Sequence, residues 1–113
     1  MGPALPEIRS VSTSADAARL ELTVPSDLRF FPGHFPGLPI LPGVVQLQWA
    51  LTCATRYLGV SSAVERITAL KFSRIVQPGA QVALVLERMP AGFGFRFESD
   101  AGTCSSGRFA CVQ

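Results

Sequence analysis

The residues best suited to chemistry lie between Phe30 and Val44, in the stretch FFPGHFPGLPILPGV. It holds four of the nine prolines, three of the ten glycines and the chain's one histidine, His34. Proline removes backbone donors and glycine gives up restraint, so this stretch is a loop rather than a helix interior or a central strand. Imidazole titrates near neutral pH, and an apolar loop disfavours its charged form, which suits His34 to act as a neutral base. The prolines fix the backbone, so less ordering entropy is lost when a ligand binds. Gly43 ends the loop at the N-terminus of a helix, where free N–H groups and the helix dipole both favour negative charge. A lone histidine also has a structural reading, as a satisfied buried side chain, and the context has to separate the two.

Several elements must position this loop. The segments EIRSVST (7–13) and ARLELTV (18–24) read as two strands around a turn at Ser14 to Ala17, the second with period-2 alternation at Leu20, Leu22 and Val24. From Val44 to Leu58, VVQLQWALTCATRYL reads as a helix, with Gly59 as C-cap and Arg56 in the last turn. Apolar residues lie on nearly all faces of that helix, which predicts burial. Four strands follow: ERITALKFSRIV ending at Gln77-Pro78-Gly79, AQVALVLERM, GFGFRFESD and SGRFACVQ, with hairpin breaks at Pro90-Ala91-Gly92 and Asp100-Ala101-Gly102. The segment Gly92-Phe93-Gly94 reads as a strand irregularity and not a phosphate loop, because no helix follows it. One helix wrapped by a single curved antiparallel sheet, an α+β architecture, is the economical packing of these parts.

With 113 residues the chain is expected to form one domain over 1–113, small enough to gain from oligomerisation. Hydrophobic residues make up 48% and charged residues 16%, so some apolar surface is expected at a subunit interface. The net charge of +2 comes from scattered basic residues, which gives no nucleic-acid footprint. Cys53, Cys104 and Cys111 lack metal-ligand spacing and read as reduced, packed thiols. The N-terminus shows no signal-peptide pattern, and no apolar run reaches the roughly 18 residues of a membrane span. A cytoplasmic protein without a metal or other cofactor and without a membrane partner is expected.

The run from His34 to Val44, HFPGLPILPGV, matches all eight fixed positions of HFPGxPxxPGV. In this it resembles the 3-hydroxyacyl-[acyl-carrier-protein] dehydratases of the FabZ/FabA type. Leu70 to Arg74 with Gln77-Pro78-Gly79 also resembles the strand and turn after that family's helix, so the similarity covers roughly residues 18–88. The resemblance implies the hotdog fold, a long buried central helix wrapped by a curved antiparallel sheet. It implies dehydration of 3-hydroxyacyl thioesters on acyl carrier protein to trans-2-enoyl thioesters, in fatty-acid or polyene biosynthesis. It further implies His34 as the base, the Ile40 carbonyl accepting that histidine's other N–H, and the Gly43 N–H polarising the thioester carbonyl. The partners implied are a phosphopantetheine-bearing carrier protein and a second hotdog subunit, in a homodimer or heterodimer.

One position departs from the family. Its second catalytic residue is a carboxylate fourteen positions after the histidine (48 − 34 = 14), and here that position is Gln48. An amide can position a hydroxyl but cannot deliver a proton to it. His34 working alone, an acid supplied by a related subunit, and a chain that instead acts as a thioesterase or non-catalytic subunit all stay open. The bland alternative for Gln48 is a polar residue filling a buried helix position. Asp27 and Glu65 are expected on solvated surface. The wording VVQLQWA and the short N-terminus are similar to the compact, ApeI-like dehydratases of aryl polyene or xanthomonadin-type pigment clusters. Phe31, Phe35 and Trp49 are candidates to line a substrate tunnel, and Arg56, Lys71 and Arg74 to receive the acidic carrier or its phosphate. Each of these also fits ordinary core or solvated surface.

Overall fold

The computed structural model describes residues 4–27 and 40–112. Along the chain these form β1 (Glu7–Thr13), β2 (Ala17–Thr23), α1 (Gly43–Leu58), β3 (Val64–Phe72), β4 (Gln81–Met89), β5 (Gly92–Ser99) and β6 (Gly102–Cys111). The six strands make one antiparallel sheet in the order β1-β2-β4-β5-β6-β3, which puts β1 and β3 at the edges. This is the sheet-and-helix plan expected of a hotdog fold.

The buried residues of the inner strands β2, β4, β5 and β6 build the face that packs against the helix. Leu20 pairs with Leu84, Leu84 with Phe97, and Phe97 with Ser105, so each buried residue shares a face with its partners. Phe93 stacks on Phe109 with centroids 4.6 Å apart, and Phe95 meets Phe109 edge-on at 5.7 Å. Against this surface α1 buries Val45, Trp49, Ala50, Cys53, Ala54 and Leu58. Each large side chain taken fully out of water stabilises the fold by roughly 1.5–3 kcal/mol. Gly59 ends the helix in the left-handed conformation at φ 68°, which costs glycine little because it lacks a Cβ. The Arg88 guanidinium donates to the Leu58 carbonyl, adding a cation at the negative end of the helix.

Three expectations are corrected. The helix is not buried all round: Val44, Gln48, Thr52, Thr55 and Arg56 are exposed along one side, because a single sheet covers only the other. The strand expected to run to Val76 ends at Phe72, since both the Ser73 and Arg74 N–H groups turn to the Cys104 carbonyl, while the last strand begins earlier, at Gly102. Gly92 to Gly94 pairs regularly with β6, and the register shift falls instead between Phe97 and Glu98. β3 carries its own irregularity between Thr68 and Lys71, where Ala69 adopts φ 53°. Among the described residues no helix is long and apolar enough to cross a membrane.

Candidate active site

The site is best built from the head of α1. Pro42 precedes the helix in an extended conformation, no side chain caps it, and no acidic residue stands in its first turn. The Val45 and Gln46 N–H groups both donate to the Pro42 carbonyl, at 3.1 and 3.2 Å. Among the described residues nothing accepts from the Gly43 or Val44 N–H. Toward the described residues the helix end thus presents unpartnered donors and the positive end of its dipole, an arrangement that favours negative charge.

Gly43 lines an apolar groove of about 520 Å3, together with Ile40 to Pro42, Gln46, and Phe72 to Ile75. Phe72 packs over Gly43 so closely that a Cβ on the glycine would lie 2.7 Å from the ring's Cζ. A side chain at this position would have to push that ring aside. Phe72 is itself 49% exposed, so it forms part of the groove wall rather than of the core.

The approach to the helix is held at several points. The Leu41 N–H donates to the Val76 carbonyl at 2.7 Å. The Gln46 side-chain amide donates to the Leu41 carbonyl at 3.2 Å, and the Ser105 hydroxyl donates to Gln46 Oε1 at 2.7 Å. Neither Gln46 nor Ser105 was singled out from sequence. Gln46 is one of two glutamines flanking Leu47, and its partner lies on a distant strand. The buried polar residue of this helix is thus Gln46, whereas Gln48 is exposed, which removes the bland alternative of a buried filler for it.

The remaining candidates separate in space. Ile40, Gly43 and Arg74 line the groove together. Trp49 lies further along the helix, 1% exposed, with its indole N–H donating to the Ala4 carbonyl at 3.0 Å. Arg56 sits in the last helical turn against Tyr57, its guanidinium 5.2 Å from the ring centre, and Lys71 is exposed on β3. His34, Phe31 and Phe35 lie outside the described residues. Asp27 and Glu65 are exposed, as expected. Burial pushes the Cys53 thiol up to about 11, against the opposing pull of Arg56, so it stays a neutral thiol at neutral pH.

Several known proteins have similar chains. A solved structure, the dehydratase heterocomplex ApeI:P from Xenorhabdus doucetiae, is 29% identical and superposes with a TM-score of 0.86 over 95% of this chain and 98% of that one. An uncharacterized protein from Erwinia carotovora is 33% identical, with a TM-score of 0.70 over 94% of each chain. A 3-hydroxyacyl-[acyl-carrier-protein] dehydratase FabZ from Syntrophomonas wolfei is 32% identical over 65 residues, which is 51% of this chain and 45% of that protein. This chain spans about half the length of the curated relatives it matches. The model of the ApeI-like family, described as ApeI dehydratase, matches residues 10–108, a span that takes in the groove, the helix and all of the sheet except the first residues of β1 and the last of β6. A match of that extent, on a sheet and helix that superpose on a solved ApeI-containing complex, makes this chain a member of the ApeI-like dehydratase family.

Proposed function

We propose that this chain is a hydro-lyase that converts 3-hydroxyacyl thioesters on acyl carrier protein to trans-2-enoyl thioesters. The observation that carries this reading is the uncapped head of α1, whose Gly43 N–H opens on an apolar groove. In the proposed reaction the thioester carbonyl accepts from Gly43, which stabilises the enolate oxygen as charge develops. His34 takes the Cα proton. The electron pair forms the Cα=Cβ bond as the Cβ–O bond breaks, and the departing hydroxyl takes the proton back from His34 to leave as water. Gln48 orients that hydroxyl. The Ile40 carbonyl holds the other nitrogen of the imidazole and fixes its tautomer.

The exposed side of α1 and the free edge of β3 support assembly with a second hotdog subunit, identical or related. The similarity to a chain of a dehydratase heterocomplex supports a related one. By this second route the partner, in place of His34, would give the departing hydroxyl its proton, the acid that Gln48 lacks. A second reading, a subunit that does not itself turn over substrate, is favoured by one observation: an amide stands on the exposed helix face where the family pattern has a carboxylate. Arg74, at the groove mouth, suits the phosphopantetheine phosphate, and the ApeI-like match supports polyene-type acyl chains as substrates.

His34→Ala is the test. It is expected to abolish enoyl formation from a 3-hydroxyacyl carrier substrate, with the melting temperature retained. Undiminished turnover would remove His34 from the mechanism.

A further inference from the structure

We infer that Gln46, with Ser105, is a positioning residue that fixes the backbone leading into the Gly43 N–H. As a statement about catalysis this rests on the dehydratase reading above. Gln46 is 3% exposed and Ser105 0%, and they are the buried polar residues of an otherwise apolar interior among the described residues. An amide in such a place is costly unless both its ends are satisfied. Here both are: Oε1 accepts from the Ser105 hydroxyl at 2.7 Å, and Nε2 donates to the Leu41 carbonyl at 3.2 Å.

The pair closes a circuit around the groove. Ser105 is the register partner of Phe72 on β3, and the Phe72 ring packs on Gly43. The Leu41 N–H is meanwhile held by Val76, so both polar groups of the peptides flanking Leu41 are pinned, one to the segment after β3 and one through Gln46 to β6. Leu41 and Pro42 lead directly into Gly43. Their orientation sets where the Gly43 N–H points, and misdirection of an oxyanion donor is costly to rate. Replacing hydrogen-bonded partners by apolar groups of similar shape can be nearly neutral for stability. The amide is therefore better explained by direction than by stability. It is also directional in a way a carboxylate is not, because an ionised Glu could accept from Ser105 but could not donate to Leu41.

The test compares the wild-type chain with Gln46→Met, Gln46→Glu and Ser105→Ala. The first readout needs no turnover: amide hydrogen exchange at Leu41 should quicken by about tenfold in Gln46→Met, while the amides of β4 hold their rates. The second is kinetic: kcat should fall by about tenfold or more with KM nearly unchanged, as expected for a donor misaligned in the transition state. Gln46→Glu should regain activity relative to wild type as pH falls, because a buried carboxyl becomes a neutral donor there. Unchanged Leu41 exchange in Gln46→Met overturns the proposal, as does a kcat loss that merely follows a loss of melting temperature across the variants. Should Gln46→Met fail to fold, the same exchange measurement on Ser105→Ala decides. A wild-type chain without dehydratase activity but with Leu41 released in the variants would sink the dehydratase reading and leave the backbone role standing.

Discussion

Gln48 stands where the resemblance expects a carboxylate, and its side chain is exposed on the free side of α1. An amide neither gives nor takes a proton near neutral pH, so in the proposed reaction the route by which the hydroxyl leaves turns on this residue. Gln48→Glu is expected to raise kcat by about tenfold or more if the site lacks an acid, in the range that a positioned general acid contributes. Steady-state kinetics on a carrier-bound substrate would show it, and a fall in kcat would instead mean that the amide positions the hydroxyl itself. At this scale the sequence was uneven. The place of Gly43 at the head of the helix was legible because a Pro-Gly pair before a helical pattern marks its start. Gln46 was not, because its meaning comes from Ser105, 59 positions away, and no local pattern joins the two.

The elements were legible wherever one face is buried. Leu20, Leu22 and Val24, and later Phe93, Phe95 and Phe97, alternate as a half-buried sheet requires, and all are buried. Boundaries failed where tertiary hydrogen bonds overrode local pattern. The apolar Ile75 and Val76 extended the β3 pattern, yet the chain leaves the strand after Phe72 to serve Cys104 and Leu41. The sequence pattern puts a hairpin break at Asp100-Ala101-Gly102 and starts the last strand at Ser106, yet Gly102, Thr103 and Ser105 already pair with β5, and Ser105 supports the head of the helix through Gln46. Phe97, 1% exposed and facing both Leu84 and Ser105 across the sheet, is the centre of this packing. Phe97→Ala is expected to cost about 3–5 kcal/mol in urea unfolding, from lost burial plus the cavity left behind. A cost below about 1 kcal/mol would contradict the packing described.

For the whole molecule the main feature is an incomplete surface. Val64, Ile67, Leu70 and Phe72 on the edge strand β3, with Ile75 just after it, are each at least one-third exposed, and Val44 at the head of the helix is 71% exposed. An open apolar edge of this kind invites pairing with another chain. The proposed dimer predicts that Leu70→Asp shifts the protein toward monomer in sedimentation, with far-ultraviolet dichroism retained. An unchanged assembly would move the interface elsewhere. The composition had pointed the same way, with 48% hydrophobic and only 16% charged residues in so short a chain. The central claim, dehydration of a carrier-bound acyl chain, is most directly tested by the intact mass of a 3-hydroxyacyl carrier protein incubated with this chain, alone and with a related hotdog subunit. Loss of one water with the acyl group still attached is the predicted result. Loss of the whole acyl group with a free thiol, or no change under either condition, would contradict it.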